Sequence, residues 1–175
     1  MGNKYNWQRR WYPRYVDTSS DLSSTTKTSS FKALWQLQSL NQGFLFEDIK
    51  FIPCLILLGE HGIGKSFFIE NEFQNLKANL TASHDETILL NLQGSNSPQY
   101  VRELLFTENN EYLAWKNGTH KLTMFLDSID RAQIAVDDVI GVISNELRSV
   151  DVSRLELRIV CRDYDWSFTL ADALS

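Results

Sequence analysis

The chain of 175 residues contains few of the features that mark secreted or membrane proteins. Its two cysteines, Cys54 and Cys161, are too few for a disulfide-stabilised scaffold, and both fall in segments that we predict to be buried strands. No apolar run approaches the roughly 20 residues that a membrane-spanning helix needs, and residues 1–20 carry no apolar signal-peptide core. We therefore predict free thiols, no membrane partner and a cytoplasmic location.

The chain also lacks a large excess of charge. Hydrophobic residues make up 43% of it, charged residues 22%, and the net charge is −5, values that are typical of a globular protein. This charge argues against binding of nucleic acid or a membrane surface by the molecule as a whole. The length is sufficient for one substantial hydrophobic core.

The N-terminal segment differs in composition from the rest of the chain. Residues 1–16 include four basic and five aromatic residues but no acid, and ten of the thirteen residues from 18 to 30 are Ser or Thr. Residues 4–15 could bind nucleic acid or a partner, because arginine and aromatic rings suit both, or their rings could dock onto the protein itself. We predict an arm and a linker over residues 1–30 and a folded core over residues 31–175.

A glycine-rich segment follows a short apolar run in the core. The letters "GEHGIGKSFF" (59–68) come directly after "CLILL" and contain the spacing G-x-x-x-x-G-K-S/T. An ordinary glycine turn into a helix is the alternative, but the strand before the motif and the helix after it favour a phosphate-binding loop. The predicted nucleotide-binding residues are Gly59, Glu60, His61, Gly62, Ile63, Gly64, Lys65, Ser66 and Phe67.

The spacing of this motif has a chemical reason. Glycines allow the backbone to curl with several N–H groups pointing inward, and the positive end of the following helix adds to the attraction for an anion. Lys65 would reach the β- and γ-phosphates, and the Ser66 hydroxyl would bind Mg²⁺. We expect His61, at a variable position of the loop, to be a bystander.

Strand and helix patterns alternate along the core. We predict strands at residues 51–58, 87–92, 121–127 and 155–161, and helices at 31–40, after residue 64, from 97 and near 132–149. Residues 107–120 are polar, and we predict a loop there. This alternation predicts an α/β fold with a parallel sheet covered by helices on both faces and with the ligand at the carboxyl ends of the strands.

The segment "LTMFLDSID" (122–130) is an apolar strand that ends in acids. Asp127 is the candidate ligand of Mg²⁺, because a magnesium nucleotide needs a carboxylate near its phosphates; an acid in a turn is the alternative. Asp130 could polarise an attacking water or cap the following helix. Both acids lie where the third strand ends, so they extend the site predicted from the loop.

The fourth predicted strand ends in Cys161 and Arg162. Arg162 could contact the γ-phosphate or stabilise charge in the transition state, or it could simply pair with Asp163 or Asp165. His84 and His120 lie in polar segments without metal-ligand spacing, so we predict that they are surface residues.

These motifs together resemble the nucleotide-binding domain of STAND-class P-loop NTPases, in particular bacterial NACHT-like ATPases. The resemblance covers roughly residues 45–167 and rests on "PCLILLGEHGIGKS", "LTMFLDSID" and "LRIVCRDYDW". Asp127, Ser128, Ile129 and Asp130 match the family pattern around its metal-binding acid, and Arg162 matches its sensor arginine. Arg131 stands where a glutamate is common, and His61 where proline is common.

The resemblance implies that the strand of Arg162 lies between the loop strand and the strand of Asp127. It also implies ATP rather than GTP, a switch between nucleotide states, self-association of the full-length protein, and a role in signalling or antiphage defence. Family members continue into a further strand and a helical lid, so the resemblance implies a core that is incomplete at its C-terminus. Arg131 in place of glutamate implies slow hydrolysis.

The predicted function is thus that of a magnesium-ATP-binding switch that hydrolyses slowly. One alternative is a small-molecule kinase with the same loop, although no cluster of lid arginines is visible. Another is a module that binds a partner or nucleic acid through residues 4–15, with a structural nucleotide. A GTPase is disfavoured, because the chain lacks the base-reading motifs N-K-x-D and T-K-x-D.

Overall fold

The computed structural model describes residues 9–12, 43–80 and 84–166. These residues belong to two compact units that divide between Phe51 and Ile52. The predicted helix at residues 31–40, the Ser/Thr-rich segment at 18–30 and most of the arm lie outside the described residues.

The first unit holds one strand contact and one short helix. Trp11 and Phe44 form an isolated antiparallel bridge, with N···O distances of 2.8 and 2.7 Å between their backbones. Helix α1 spans Phe46–Ile49, and the Asp48 carboxylate accepts a hydrogen bond from the backbone N–H of Leu45 at its start. These contacts leave both interpretations of the N-terminal arm open.

The second unit alternates strands and helices. Its strands are β1 (Cys54–Leu58), β2 (Glu86–Asn91), β3 (Leu122–Asp127) and β4 (Leu155–Cys161). Its α-helices are α2 (Lys65–Asn79), α3 (Pro98–Arg102), α4 (Asn110–Asn117) and α5 (Val136–Leu147). A π-helical segment, Glu103–Thr107, extends α3, and 3₁₀ turns span Ile129–Arg131 and Val152–Arg154.

The four strands form one parallel sheet in the order β1-β4-β3-β2. Strand β4 therefore lies between the strand that precedes the glycine-rich loop and the strand that ends in Asp127. The register pairs Leu58 with Cys161 and Asn91 with Asp127, so the carboxyl ends of all four strands meet at one edge. This edge carries every residue of the predicted site. The α/β class and the parallel sheet are confirmed.

Both faces of the sheet are covered by helices. Leu122, Met124 and Leu126 of β3 belong to the main hydrophobic core, together with residues of α4 and α5. Alternation along the strand points Phe125 to the other face, where its ring meets Phe73 of α2 edge to face, with centroids 6.1 Å apart. Helix α2 thus packs on this face of the sheet, and Ile69 is its fully buried residue.

The prediction of a loop over residues 107–120 is wrong for most of that segment. Helix α4 occupies Asn110–Asn117, and the Asn109 side chain caps it by accepting a hydrogen bond from the N–H of Tyr112. Tyr112 and Trp115 are completely buried, three positions apart on one helical face. The polar residues around them belong to the exposed face. These polar residues led to the prediction of a loop, although two buried aromatic side chains hold the helix against the core.

The described helices include none that is long and apolar enough to cross a bilayer. Cys54 and Cys161 are free thiols. Burial raises the pKa of Cys54 to about 11 and that of Cys161 to about 12, so both thiols stay protonated near neutral pH.

Strand β4 carries a buried arginine that the sequence patterns did not single out. The Arg158 side chain is 2% exposed, and its Nη1 donates to the carbonyl oxygens of Ile52 (2.7 Å) and Pro53 (3.1 Å). Its Nη2 lies 2.8 Å from the Glu156 carboxylate. Burial lowers the pKa of Arg158, and the field of Glu156 opposes that change. Arg158 thus fastens the segment that enters β1, the strand that leads to the glycine-rich loop.

Candidate functional site

The glycine-rich loop joins β1 to α2 at the carboxyl edge of the sheet. Gly62 and Gly64 have φ angles of 77° and 83°, in the left-handed region that favours glycine. Gly64 is the last residue before α2, so the loop turns sharply into the N-terminus of that helix. The backbone N–H groups at the start of a helix attract anions. Helix α2 has 15 residues, so the positive end of its dipole adds to this attraction.

Lys65 folds back over the loop that precedes it. Its Nζ donates to the carbonyl oxygens of Gly59 at 2.6 Å and Glu60 at 2.8 Å. The ammonium group therefore lies inside the curve of the loop, where it would meet a bound phosphate.

Ser66 and Asp127 come together although 61 positions separate them in the chain. The Ser66 hydroxyl donates to Oδ1 of Asp127 at 3.1 Å, and the backbone N–H of Ser128 donates to the same oxygen at 2.8 Å. The second bond fixes the carboxylate at the end of β3. Asp127 thus has the turn contact that we considered as an alternative, and it also faces the loop.

Ser128 has an unusual backbone conformation next to this carboxylate. Its φ of 60° lies in the left-handed region, and it is the one residue other than glycine with positive φ in the described segments. Ser128 is buried, and it precedes the 3₁₀ turn that carries Asp130. Such conformations cost about 1–3 kcal/mol and cluster at functional sites. Here the turn brings Asp130 back toward the sheet edge.

Asp130 and Arg162 form an ion pair. Arg162 Nε lies 2.7 Å from Oδ2 of Asp130, whose side chain is 7% exposed. The residue at the start of helix α5 is Ala135, and no side chain caps that helix. Asp130 therefore does not have the alternative role of a helix cap. Arg162 pairs with Asp130 rather than with Asp163 or Asp165, the partners that we considered for it.

Tyr164 completes the surroundings of Arg162. Nη1 of Arg162 donates to the Tyr164 hydroxyl at 2.7 Å, and its guanidinium carbon lies 5.8 Å from the centre of the Tyr164 ring. This hydrogen bond is the main influence that raises the pKa of Arg162, and the carboxylates of Asp130 and Asp165 raise it further. Sequence reasoning missed Tyr164 and considered Asp165 only as an alternative partner of Arg162. Their position two and three residues after Arg162 was the available signal.

These groups line one cleft with a volume of about 210 Å³. Typical small-molecule pockets have volumes of roughly 300–1,000 Å³, so this cleft suits the phosphate end of a ligand. Phe67 and Ile63 are 75% and 55% exposed beside it. The cleft is lined by His61, Gly62, Gly64, Lys65, Ser66, Phe67, Asp127, Ser128, Asp130, Arg131 and Arg162. Most of the predicted residues are thus brought to one place.

Other predicted residues lie at the loop without lining the cleft. Gly59 and Glu60 hold Lys65 through their carbonyl oxygens, and Ile63 is exposed. His84 is exposed, as predicted, whereas the prediction of a surface position is wrong for His120. The side chain of His120 is 15% exposed, and its Nε2 lies 3.5 Å from the Glu86 carboxylate at the opposite edge of the sheet.

The donor set suits a magnesium ion that arrives with phosphates. Mg²⁺ prefers hard oxygen ligands and is usually held by one or two carboxylates plus substrate phosphates. Ser66 and Asp127 supply one hydroxyl and one carboxylate at the mouth of the loop. Within the described part of the chain, no group of three or more His, Cys, Asp or Glu side chains forms a self-sufficient metal site.

Comparisons with models of known protein families, with curated proteins and with solved structures found no match.

Proposed function

We propose that the second unit binds ATP with Mg²⁺ and serves as a slowly hydrolysing nucleotide switch of the STAND or NACHT-like kind, in signalling or antiphage defence. The observation that carries this proposal is the contact between Ser66 and Asp127 beside Lys65. An ordinary glycine turn needs no lysine folded into it and no carboxylate from a distant strand at its mouth. A phosphate-binding loop needs both.

Each group in the cleft has a place in this proposal. Lys65 and the N–H groups of the loop would bind phosphate, and Ser66 and Asp127 would hold Mg²⁺, which supplies positive charge against the phosphates. Arg162 would contact the γ-phosphate, and Asp130 would orient water. Phe67, exposed at the rim, is available to the base. The preference for adenine is part of the proposal through the family resemblance.

Direct binding measurements test the proposal. Isothermal titration calorimetry with ATP, ADP and GTP, each with Mg²⁺ and with EDTA, should show micromolar or tighter binding of ATP that depends on Mg²⁺. No binding of any nucleotide by the folded chain would contradict the proposal. Tighter binding of GTP would retain the loop but overturn the choice of base.

The substitution Asp127→Asn should reduce the dependence of binding on magnesium. Asparagine can still accept the hydrogen bond from Ser66, but it lacks the charge that attracts Mg²⁺. We expect the ratio of ATP affinities with and without Mg²⁺ to fall about tenfold, or about 1.4 kcal/mol, while affinity in EDTA changes little. Titration calorimetry of both proteins measures this ratio. Asp138→Asn, an exposed acid in the first turn of α5, is the matched control. An unchanged ratio would leave Asp127 with a turn role alone.

Hydrolysis by the 175-residue chain should be slow, below about 1 s⁻¹, the low end for ordinary enzymes. Arg131 lines the cleft beside Asp130 and stands where a glutamate is common in the family that the chain resembles, so the site has no second acid there to help activate water. Asp130→Asn should therefore change the rate little. Steady-state phosphate release at saturating magnesium-ATP measures the rate, with Lys65→Ala as the control for contaminating enzymes. Turnover above 1 s⁻¹ that the control loses would indicate an ordinary NTPase or a kinase.

A further inference from the structure

Asp165 has a buried acceptor atom without a donor. Its Oδ2 is shielded from solvent and has no hydrogen-bond partner in the described segments, although the residue as a whole is half-buried. A buried acceptor that lacks its hydrogen bond costs about 1–3 kcal/mol, more when it is charged. Such atoms are uncommon in native structures, and a water, an ion or a donor that moves in another state of the molecule can satisfy them.

The backbone holds Asp165 close to the phosphate cleft. The residue lies in the turn that follows β4, three positions after Arg162, and the next residue, Trp166, is part of the hydrophobic core. The turn is therefore held by Cys161 before it and by Trp166 after it, both of which belong to the core. Burial and the negative charge of Asp130 both raise the pKa of Asp165, so its carboxyl group lies within electrostatic reach of the site.

Arg162 is the donor best placed to satisfy this oxygen. Among the described residues, Arg162 is the cation whose field lowers the pKa of Asp165, against the larger influence of burial. A guanidinium has five N–H donors in a planar fork. In the described part of the structure, Arg162 uses Nε for its ion pair with Asp130 and Nη1 for its hydrogen bond with Tyr164, but not Nη2. Lys65, another cation that lines the cleft, is already bonded to two loop carbonyls.

A bound triphosphate changes the balance around Arg162. The γ-phosphate competes with Asp130 for the guanidinium of Arg162. Once Arg162 has left Asp130, a second carboxylate behind the guanidinium would hold it in a fixed orientation. We propose that Asp165 is a positioning residue that receives Arg162 when the γ-phosphate draws it away from Asp130. Arg162 then lies between the phosphate and Asp165, and Asp130 is released into the cleft. This inference rests on the proposed function.

The test compares triphosphate with diphosphate binding. In Asp165→Asn we expect the affinity for magnesium-ATP to fall about tenfold, the effect of weakening one charge-assisted hydrogen bond. The affinity for magnesium-ADP should stay within about twofold of wild type, because ADP has no γ-phosphate to draw Arg162. Asp138→Asn, with the same change of charge at an exposed acid in the first turn of α5, is the matched control and should match wild type for both nucleotides.

A double-mutant cycle separates positioning from a structural effect. In the Arg162→Ala background, Asp165→Asn should cause no further loss of ATP affinity, because the residue that it positions is gone. An equal loss with and without Arg162, an equal loss for ATP and ADP, or tighter ATP binding in Asp165→Asn would each overturn the proposal. If wild type binds ATP and Lys65→Ala does not, the proposed function stands whatever Asp165→Asn shows.

Discussion

Lys65→Ala should weaken the binding of magnesium-ATP by about 10³-fold or more, equivalent to roughly 4 kcal/mol. The Lys65 ammonium group lies within the curve of the loop and is the charge nearest to where the phosphates would sit. In the described structure its partners are two carbonyl oxygens of an exposed loop, which water can satisfy after the substitution. The fold should therefore persist, and the loss should be one of ligand binding alone.

Titration calorimetry with ATP measures the effect, and circular dichroism with thermal unfolding checks the fold. The matched control is Lys77→Ala, in the last turn of the same helix, where the ammonium group lies over the Phe73 ring at 5.5 Å. This control should retain wild-type affinity. Tight binding of ATP by folded Lys65→Ala protein would remove the basis for a phosphate-binding loop.

The sequence was sufficient to predict the structural elements that depend on one local motif. The glycine spacing requires left-handed backbone at Gly62 and Gly64, and both have it. Ser97 and Pro98 begin helix α3 as predicted, with the Ser97 hydroxyl accepting a hydrogen bond from the N–H of Tyr100. Strand β4 has the predicted bounds because its apolar run is continuous on the side that faces the main core.

Features that depend on contacts between distant segments were not predictable in this way. The pairing of Asp130 with Arg162 depends on a turn with left-handed Ser128, a residue type that gives no such signal in sequence. The unpaired oxygen of Asp165 depends on how Trp166 packs into the core. Helix α4 was missed because two buried aromatic side chains stabilise it against polar surroundings that favour a loop. Strand order came from the family resemblance rather than from the residues.

Arg158 shows most clearly how a distant contact can determine the position of the site. A charged residue within the apolar letters "LELRIVC" suggests a solvent-facing position, yet Arg158 is 2% exposed. Its guanidinium donates to the carbonyls of Ile52 and Pro53, more than 100 positions earlier in the chain. Pro53 also accepts a hydrogen bond from the N–H of Leu157 at 2.7 Å. The start of β1 is thus bonded to β4 at the edge of the sheet opposite the cleft.

Arg158→Ala should lower the free energy of unfolding by about 3 kcal/mol, because it removes a buried side chain together with its hydrogen bonds to backbone carbonyls. The substitution removes the donor that the carbonyls of Ile52 and Pro53 share. It also leaves a cavity between β1 and β4. Because single domains are stable by about 5–15 kcal/mol, this loss removes a large part of the total. Urea unfolding followed by circular dichroism measures it from the shift in midpoint.

A second variant separates the loss of the guanidinium group from the loss of volume, and a surface arginine provides the control. Arg158→Met keeps much of the volume without the donors and should remain clearly destabilised, by about 2 kcal/mol or more. Arg148→Ala, an exposed arginine that follows α5, should cost less than about 0.5 kcal/mol. If Arg158→Met were as stable as wild type, the carbonyls of Ile52 and Pro53 would not depend on Arg158. The position of the loop strand would then follow from the sheet hydrogen bonds and the apolar core alone.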